Sequence, residues 1–242
     1  MSGRTALILT IGNEIVSGDV ENTNGSWLAR RLGELGIEVR MLAALRDDIE
    51  AIATFLASRD GVDFVFLTGG LGGTPDDITR EAVAAAFGVE CVEIPELAER
   101  LRERFARKGL SDYAARWARI PDGAVPIDNP LGGAPGFVLG NVWVMPGLPS
   151  EMQAMFEAVC DRFRGEPIGV WRQSYRTGEG QIVWVLEEAT RSHPLVTVGS
   201  YPRFHADGPE VDVVLKSLDP VALAAAVAFV EGALEAALLG RR

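Results

Sequence analysis

The sequence predicts an α/β protein: a three-layer α/β/α domain on a mostly parallel sheet, followed by a small α+β unit. Three observations support this prediction. Short apolar runs alternate with helical patterns through the first half of the chain, glycine-rich turns follow the apolar runs directly, and the pattern changes near residues 164–169. Regular alternation of strand and helix implies right-handed crossovers and a parallel sheet with helices on both faces. We therefore expect domains at residues 1–165 and 166–242.

The elements of the first half follow from their apolar runs and end signals. In chain order, the patterns predict a strand at Thr5–Gly12, a helix at Asn22–Gly36, a strand at Ile37–Leu45, a helix at Asp47–Arg59, a strand at Val62–Gly70, a helix at Asp76–Gly88 and a strand at Val89–Ile94. Asn22 offers an N-cap to the first helix, and Gly36 offers a stop. Asp47 or Asp48 is expected to cap the second helix.

The second half reads differently. Residues 95–119 have a charged helical pattern, residues 120–152 are rich in glycine and proline with three short strands, and a helix at Glu151–Phe163 closes the first domain. Beyond it, the patterns predict strand, helix, strand, strand and helix. Asp219, Glu231 and Glu235 mark the last, alanine-rich helix as amphipathic.

Composition limits the class of protein. The chain has 242 residues, of which 48% are hydrophobic and 24% charged, as in an ordinary globular protein. Its net charge of −11 argues against general nucleic-acid binding. No apolar run is expected to reach the roughly 18 residues of a membrane span, and the first residues lack a signal peptide's pattern. Cys91 and Cys160 are interpreted as buried free thiols, which suits the cytoplasm.

The stretch TGGLGGTPDD, Thr68–Asp77, is the strongest candidate for a binding site. Glycines let backbone N–H groups approach a phosphate, and the helix that follows adds partial positive charge. The alternative is a tight turn with an aspartate cap, which one Gly and one Asp would satisfy. The stretch has no lysine after its glycines, so it is not a Walker A loop.

Carboxylates follow three predicted strands. Glu14, Asp47, Asp76 and Asp77 lie on loops that should share one rim, because ligands bind at the carboxyl ends of parallel strands. Carboxylates beside a phosphate favour a hard cation such as Mg²⁺ between them, or one of them serves as a general base. Taken singly, Asp47 and Asp77 could instead be helix caps.

Two more Gly/Pro-rich loops, Asn129–Phe137 and Met145–Met152, are candidates for pocket walls that supply N–H groups; the alternative is folded turns between strands. His193 and His205 have no partner at metal-ligand spacing and are interpreted as structural or surface residues.

The four stretches TIGNEIVSGDVENTN, TGGLGGTPDDIT, NPLGGAPGF and MPGLPSEM, in this order, resemble the molybdopterin-binding (MoCF-type) domain in its CinA-like form, over about residues 4–165. The last 75 or so residues resemble the KH-like appendage of this group, close to that of eukaryotic FAD synthase, although HADGPE replaces a basic Gly-x-x-Gly loop. The resemblance does not extend to the amidase domain of full-length CinA proteins.

This resemblance implies roles for particular residues. It makes Asp77 and Asp47 catalytic and, together with Glu14, ligands of Mg²⁺ or another divalent cation. Candidate phosphate- and ligand-binding residues are Gly69, Gly70, Gly72, Gly73, Thr74, Asn24, Gly133, Pro146, Gly147 and Ser150. Three positions depart from the group's pattern: Asn13 replaces a threonine, and Gly73 and Pro75 stand where a proline and a lysine are common.

The implied activity is that of a divalent-cation-dependent nucleotide pyrophosphatase acting on ADP-ribose or an FAD-like dinucleotide. Two alternatives stay open: molybdopterin binding with adenylylation, and a nucleotide-binding module without catalysis. The expected partner is a small nucleotide or molybdopterin, with no nucleic acid and no membrane. Relatives of this type form dimers or trimers, so a homo-oligomer is expected.

Overall fold

The computed structural model describes residues 3–57 and 60–239. These residues divide into two compact units, one ending at Gly165 and the other beginning at Glu166. Each unit has its own sheet and its own hydrophobic core.

The first unit is an α/β fold. Its strands are β1 (Arg4–Ile11), β2 (Ile37–Leu45), β3 (Phe64–Thr68), β4 (Cys91–Glu93), β5 (Arg119–Pro121), β6 (Val125–Ile127), β7 (Gly136–Leu139) and β8 (Val142–Met145). Its helices are α1 (Asn13–Ser17), α2 (Thr23–Glu34), α3 (Ile49–Leu56), α4 (Thr79–Phe87), α5 (Pro95–Ala106), α6 (Ser111–Ala115) and α7 (Pro149–Val159).

The main sheet has six strands in the order β2-β1-β3-β8-β7-β6. The first four run parallel, with Ala6 opposite Phe64 and Val65 opposite Val142, whereas β7 and β6 run antiparallel. The loops after β1, β2, β3 and β8 therefore leave the sheet at one rim, as the sequence predicts for the first three.

Helices cover both faces of this sheet. On one face, Leu7 and Leu9 pack with Ile52 of α3 and Val83 of α4. On the other face, Ile8 and Phe66 pack with residues of α2 and α7, and Phe156 and Phe163 extend an aromatic cluster. Side chains alternate between faces along a strand, so the uninterrupted apolar run of β1 serves both cores. Each fully buried Leu, Ile or Phe contributes about 1.5–3 kcal/mol.

One predicted strand does not join the main sheet. Residues Cys91–Glu93 pair antiparallel with β5 in a separate two-stranded sheet. A central parallel strand is buried on both faces and needs a continuous apolar run. Glu90 and Glu93 interrupt that run, which is why this short strand lies outside the sheet.

Helix boundaries also differ from expectation in two places. The first loop contains α1, a five-residue helix. The helix predicted from Asp76 begins only at Thr79, so Asp77 does not cap it. Of the two predicted caps of α3, Asp48 is the one the structure confirms, because it accepts a hydrogen bond from the Ala51 amide. The last two residues of that predicted helix, Ser58 and Arg59, lie outside the described residues. The predicted N-cap Asn22 is confirmed for α2.

The second unit has the predicted order of strand, helix, strand, strand and helix. Its elements are β9 (Gly169–Tyr175), α8 (Val183–Ser192), β10 (Thr197–His205), β11 (Gly208–Ser217) and α9 (Pro220–Leu239). The strands form an antiparallel sheet in the order β10-β11-β9. Val211, Val213 and Leu215 pack against Ala226 and Val230 of α9.

Helix α9 corrects one expectation. By length and composition alone, Pro220–Leu238 would be apolar enough to cross a membrane, contrary to the prediction that no run qualifies. The two carboxylates within it are too few to lower its mean hydropathy enough. Its buried side chains, which include Ala226, Val230 and Leu234, lie four residues apart and face the core of the unit.

Both cysteines are free, as predicted, but each is only partly buried. Burial nonetheless raises the pKa of both thiols, Cys91 and Cys160.

Candidate functional site

The loops at the shared rim enclose a pocket of about 430 Å³. Its walls come from the loops after β1, β2, β3 and β8, and from the loop before β7. Of the predicted site residues, the following line it: Glu14, Asp47, Gly69, Gly70, Gly72, Asp77, Gly133, Pro146 and Gly147. The geometry of a parallel sheet thus brings together residues that are far apart in the chain, such as Glu14 and Gly147.

The protein's own contacts require glycine at the first two positions of the loop after β3. Gly69 and Gly70 both have positive φ, at 110° and 65°, which side chains disfavour. A Cβ on Gly69 would strike the Ile11 carbonyl, and one on Gly70 would strike the Thr79 hydroxyl. The Thr79 hydroxyl donates to the Gly69 carbonyl at 2.9 Å. These glycines therefore allow the loop to pass close to β1 and α4.

Asp77 holds this loop from one side. Its Oδ1 accepts a hydrogen bond from the Gly72 amide at 2.7 Å, and its Oδ2 accepts from the Thr74 amide at 2.8 Å and from the Thr74 hydroxyl. These three hydrogen bonds join the carboxylate to two different residues of the loop. Asp77 therefore fixes the shape of the loop, a role distinct from capping a helix.

Arg80 holds the loop from the other side. Its guanidinium donates to the Leu71 carbonyl at 2.7 Å and to the Gly72 carbonyl at 3.3 Å. Three further amides of the loop, those of Gly70, Leu71 and Gly73, donate to no other described residue. Unpaired backbone N–H groups in a glycine loop are the groups that bind phosphate oxygens.

The opposite side of the pocket is acidic. Asp47 accepts a hydrogen bond from the Asn13 amide at 2.9 Å, which joins the first two loops. Burial raises the pKa of Asp47, and the negative charges of Glu14 and Asp76 raise it further. Among the described residues, no three His, Cys, Asp or Glu side chains are grouped closely enough to hold a metal ion by themselves.

Asn24 lies behind the loops, beside the pocket. Its Nδ2 donates to the Thr68 hydroxyl at 2.9 Å and to the Gly147 carbonyl at 2.8 Å. It borders a small neighbouring cavity of about 90 Å³. Its buried Oδ1 accepts no hydrogen bond from the described residues. The structure thus places Asn24 as a support for the loop after β8.

Three other predicted residues lie outside the pocket lining. Gly73 packs against the Tyr113 ring, where a Cβ would come within 2.5 Å of a ring carbon. Thr74 donates to Asp77. Ser150 lies in the first turn of α7. Both histidines belong to the second unit: His193 packs near Phe229, and His205 Nε2 lies 3.1 Å from Glu210.

Sequence reasoning missed two side chains that line the pocket. Trp117 follows α6 and packs edge-to-face against Tyr113, with ring centroids 5.5 Å apart. Its indole Nε1–H is buried and has no acceptor among the described residues. Glu151 accepts a hydrogen bond from Asn129 Nδ2 at 2.9 Å and fills the space beside Gly133. Glu151 is visible in the motif MPGLPSEM, but Trp117 lies in a helical pattern without a motif.

Comparison with known proteins identifies the class. Residues 7–165 match the family model described as "Probable molybdopterin binding domain", and residues 174–241 match "FAD synthase, middle domain". The chain belongs to the molybdopterin-binding-domain family. Within it, the relatives include CinA-like proteins, as the sequence motifs predict.

Individual relatives support this placement. A protein of Pyrobaculum calidifontis is 36% identical, over 97% of this chain and 93% of its own length. A CinA-like protein of Frankia casuarinae is 40% identical to this chain. The matched region covers 71% of this chain and 43% of that protein. The crystal structure of CinA from Thermoplasma acidophilum, titled as a protein of unknown function, is 32% identical with a TM-score of 0.61. That match covers 66% of this chain and 98% of the crystallised one.

Proposed function

We propose that the pocket binds the diphosphate of a nucleotide such as ADP-ribose and that the protein hydrolyses it with a divalent cation. One observation carries this proposal. The loop after β3, residues 69–77, is called the glycine loop. Its Gly70 and Leu71 amides, which are unpaired among the described residues, lie around the same pocket as the carboxylates of Glu14, Asp47 and Asp76. Amides suit the phosphate oxygens, and carboxylates suit a cation that neutralises them.

The donor set fits a cation that the ligand helps to hold. Asp77 is occupied by its loop, so Asp47 and Glu14 are the better candidates among the three predicted metal residues. Mg²⁺ commonly takes one or two protein carboxylates together with substrate phosphates, and so needs no preformed group of three. When bound, the cation would neutralise charge on the phosphates. The chain's own residues would orient the diphosphate through the loop amides, and Asp47 and Glu14 would hold the cation beside it, where the attacking water is positioned.

The test is release of AMP from ADP-ribose and from FAD, each with Mg²⁺, with Co²⁺ and with EDTA. Asp47→Asn should lose metal-dependent release. Asp48→Asn is the matched control, since it removes the neighbouring carboxylate while asparagine still caps α3. Equal turnover by the Asp47→Asn protein would refute the role of Asp47, and binding without turnover under any metal would refute the hydrolase.

A second candidate is binding of a molybdopterin-type ligand without hydrolysis. The description of the matching family favours that ligand, and the engagement of Asp77 by Gly72 and Thr74 favours a site shaped for binding. Calorimetric titration with molybdopterin and ADP-ribose separates the two candidates, because each predicts a different preferred ligand.

A further inference from the structure

Arg80 is a buried cation that the chemistry above leaves unused. The residue is 5% exposed, and no carboxylate of the described residues forms an ion pair with it. Its Nε is buried without a hydrogen-bond partner. Burial lowers the pKa of Arg80, and the negative charges of Glu81 and Asp77, which form no ion pair with it, oppose that effect. An unpaired buried charge is costly, so its retention calls for a compensating anion.

The position of Arg80 in its helix adds a second cost. Arg80 is the second residue of α4, which begins at Thr79. The N-terminal end of a helix carries partial positive charge and disfavours a cation there. Helix position and burial therefore both oppose a guanidinium at this point, and two carbonyl oxygens are its only acceptors among residues 3–57 and 60–239.

Those two hydrogen bonds set the direction of the loop amides. In a trans peptide the C=O of one residue and the N–H of the next point in opposite directions. Because Arg80 binds the Leu71 and Gly72 carbonyls, the amides of Gly72 and Gly73 point away from it. The Gly72 amide meets Asp77, a pocket residue, so the side facing away from Arg80 is the pocket side. The Gly73 amide also points away from Arg80 and is unpaired among the described residues, but Gly73 itself lies outside the pocket lining. Leu71 and Gly72, whose carbonyls Arg80 binds, both line the pocket, so Arg80 lies behind that wall.

We infer that Arg80 is the counter-charge of the bound diphosphate, acting through the glycine loop without touching the ligand. This inference rests on the proposed diphosphate site and assigns its cation. The loop itself offers none, since residues 68–77 contain no lysine or arginine. The phosphates would then bind at the loop in front of Arg80, and Glu14 and Asp47 would hold the divalent cation. Arg80 is a positioning residue, which holds the Leu71 and Gly72 carbonyls of the pocket wall and supplies charge from behind.

The experiment measures binding of inorganic pyrophosphate by calorimetry in EDTA, so that no metal contributes. Arg80→Lys keeps the charge and loses the guanidinium fork, whereas Arg80→Gln keeps one donor and loses the charge. We expect Arg80→Lys to bind within about threefold of the wild type and Arg80→Gln to bind about tenfold or more weakly, with a smaller dependence on salt. Rescue by lysine separates a role in charge from a purely structural one.

Arg40→Gln is the matched control. Arg40 also donates to a backbone carbonyl, that of Gly61, but near the opposite end of the sheet, and its loss should leave pyrophosphate binding unchanged. Equal affinity of the lysine and glutamine variants would overturn this inference alone. Failure of the wild-type protein to bind pyrophosphate would overturn the diphosphate site as well.

Discussion

The Asp77 carboxylate accepts the Gly72 amide hydrogen at 2.7 Å, across the loop that follows β3. The same side chain accepts a hydrogen bond from the Thr74 amide, so one carboxylate holds the loop at two residues, Gly72 and Thr74. Arg80 holds the intervening carbonyls from behind. The glycine loop is therefore held in a clamp between the carboxylate of Asp77 and the guanidinium of Arg80. Because these two side chains fix the shape of the loop, its remaining amides are free to bind a ligand.

Removal of the clamp should lower stability as well as binding. Asp77→Ala leaves the amides of Gly72 and Thr74 without their acceptor, and an unsatisfied donor that is partly buried costs about 1–3 kcal/mol. We expect a loss of that size in urea unfolding, together with loss of ADP-ribose binding. Asp48→Ala, which removes only the cap of α3, should cost about 1 kcal/mol and leave binding intact. An Asp77→Ala protein with wild-type stability and affinity would contradict the clamp.

A pair of glycine variants separates backbone strain from collision. Gly70 and Gly88 have nearly the same φ, 65° and 67°. A Cβ on Gly70 would strike the Thr79 hydroxyl, whereas a Cβ on Gly88 would meet no atom within 4 Å. Gly88→Ala should therefore lower stability by about 1 kcal/mol, the cost of left-handed backbone. Gly70→Ala should cost clearly more and weaken ADP-ribose binding. If both variants lost the same stability in thermal unfolding, the Thr79 side chain would have moved aside for the new methyl group at no cost in free energy.

Asp47 should make the stability of the protein depend on pH. Its pKa is raised in the folded state, chiefly by burial, so ionisation of Asp47 favours the unfolded state as the pH rises. Asp47→Asn removes this cost and should raise the melting temperature at pH 7. The advantage should shrink as the pH falls through the raised pKa and vanish below the ordinary pKa of an aspartate, where the carboxyl is protonated in the folded and the unfolded state alike. Melting curves between pH 3 and pH 8 test this expectation, and an advantage that grows toward low pH would be inconsistent with it.

Trp117 should report ligand binding. It lines the pocket, and its indole N–H has no acceptor among the described residues. Titration with ADP-ribose should change the tryptophan fluorescence, and Trp117→Phe should remove most of that change. Trp184→Phe is the control, since Trp184 is 52% exposed on α8 of the second unit. A full fluorescence response in the Trp117→Phe protein would exclude Trp117 from the site.

The sheet and its rim were predictable because their signals are local. The apolar run of β1 and the glycines after β3 identify a parallel sheet and a loop at its edge without knowledge of distant contacts. The fourth strand could not be placed, because pairing of Cys91–Glu93 with β5 depends on residues far along the chain. The entry of Trp117 into the pocket likewise depends on how α5 and α6 fold back.

The glycines of the loop after β3 were predicted correctly as sites of close approach, but for a different partner. Their number in Thr68–Asp77 predicts close approach of a ligand, but the closest approaches at Gly69 and Gly70 are to Ile11 and Thr79 of the protein itself. Sequence cannot distinguish the two causes, since both require the absence of a side chain. The direction of the Asp77 carboxylate, into its own loop, was equally hidden, because a helix cap and a loop clamp use the same residue type.

The loops after β3 and β8 touch backbone to backbone. A Cβ on Gly147 would lie 3.3 Å from the Cα of Gly69, and the Gly69 amide donates to the Met145 carbonyl at 3.2 Å. Asn24 anchors Gly147 from behind. Two walls of the pocket are thus preorganised as one body, and a ligand that enters finds them already in place. Association should then lose little conformational entropy, so that affinity depends on the chemistry of the ligand more than on its power to close the site.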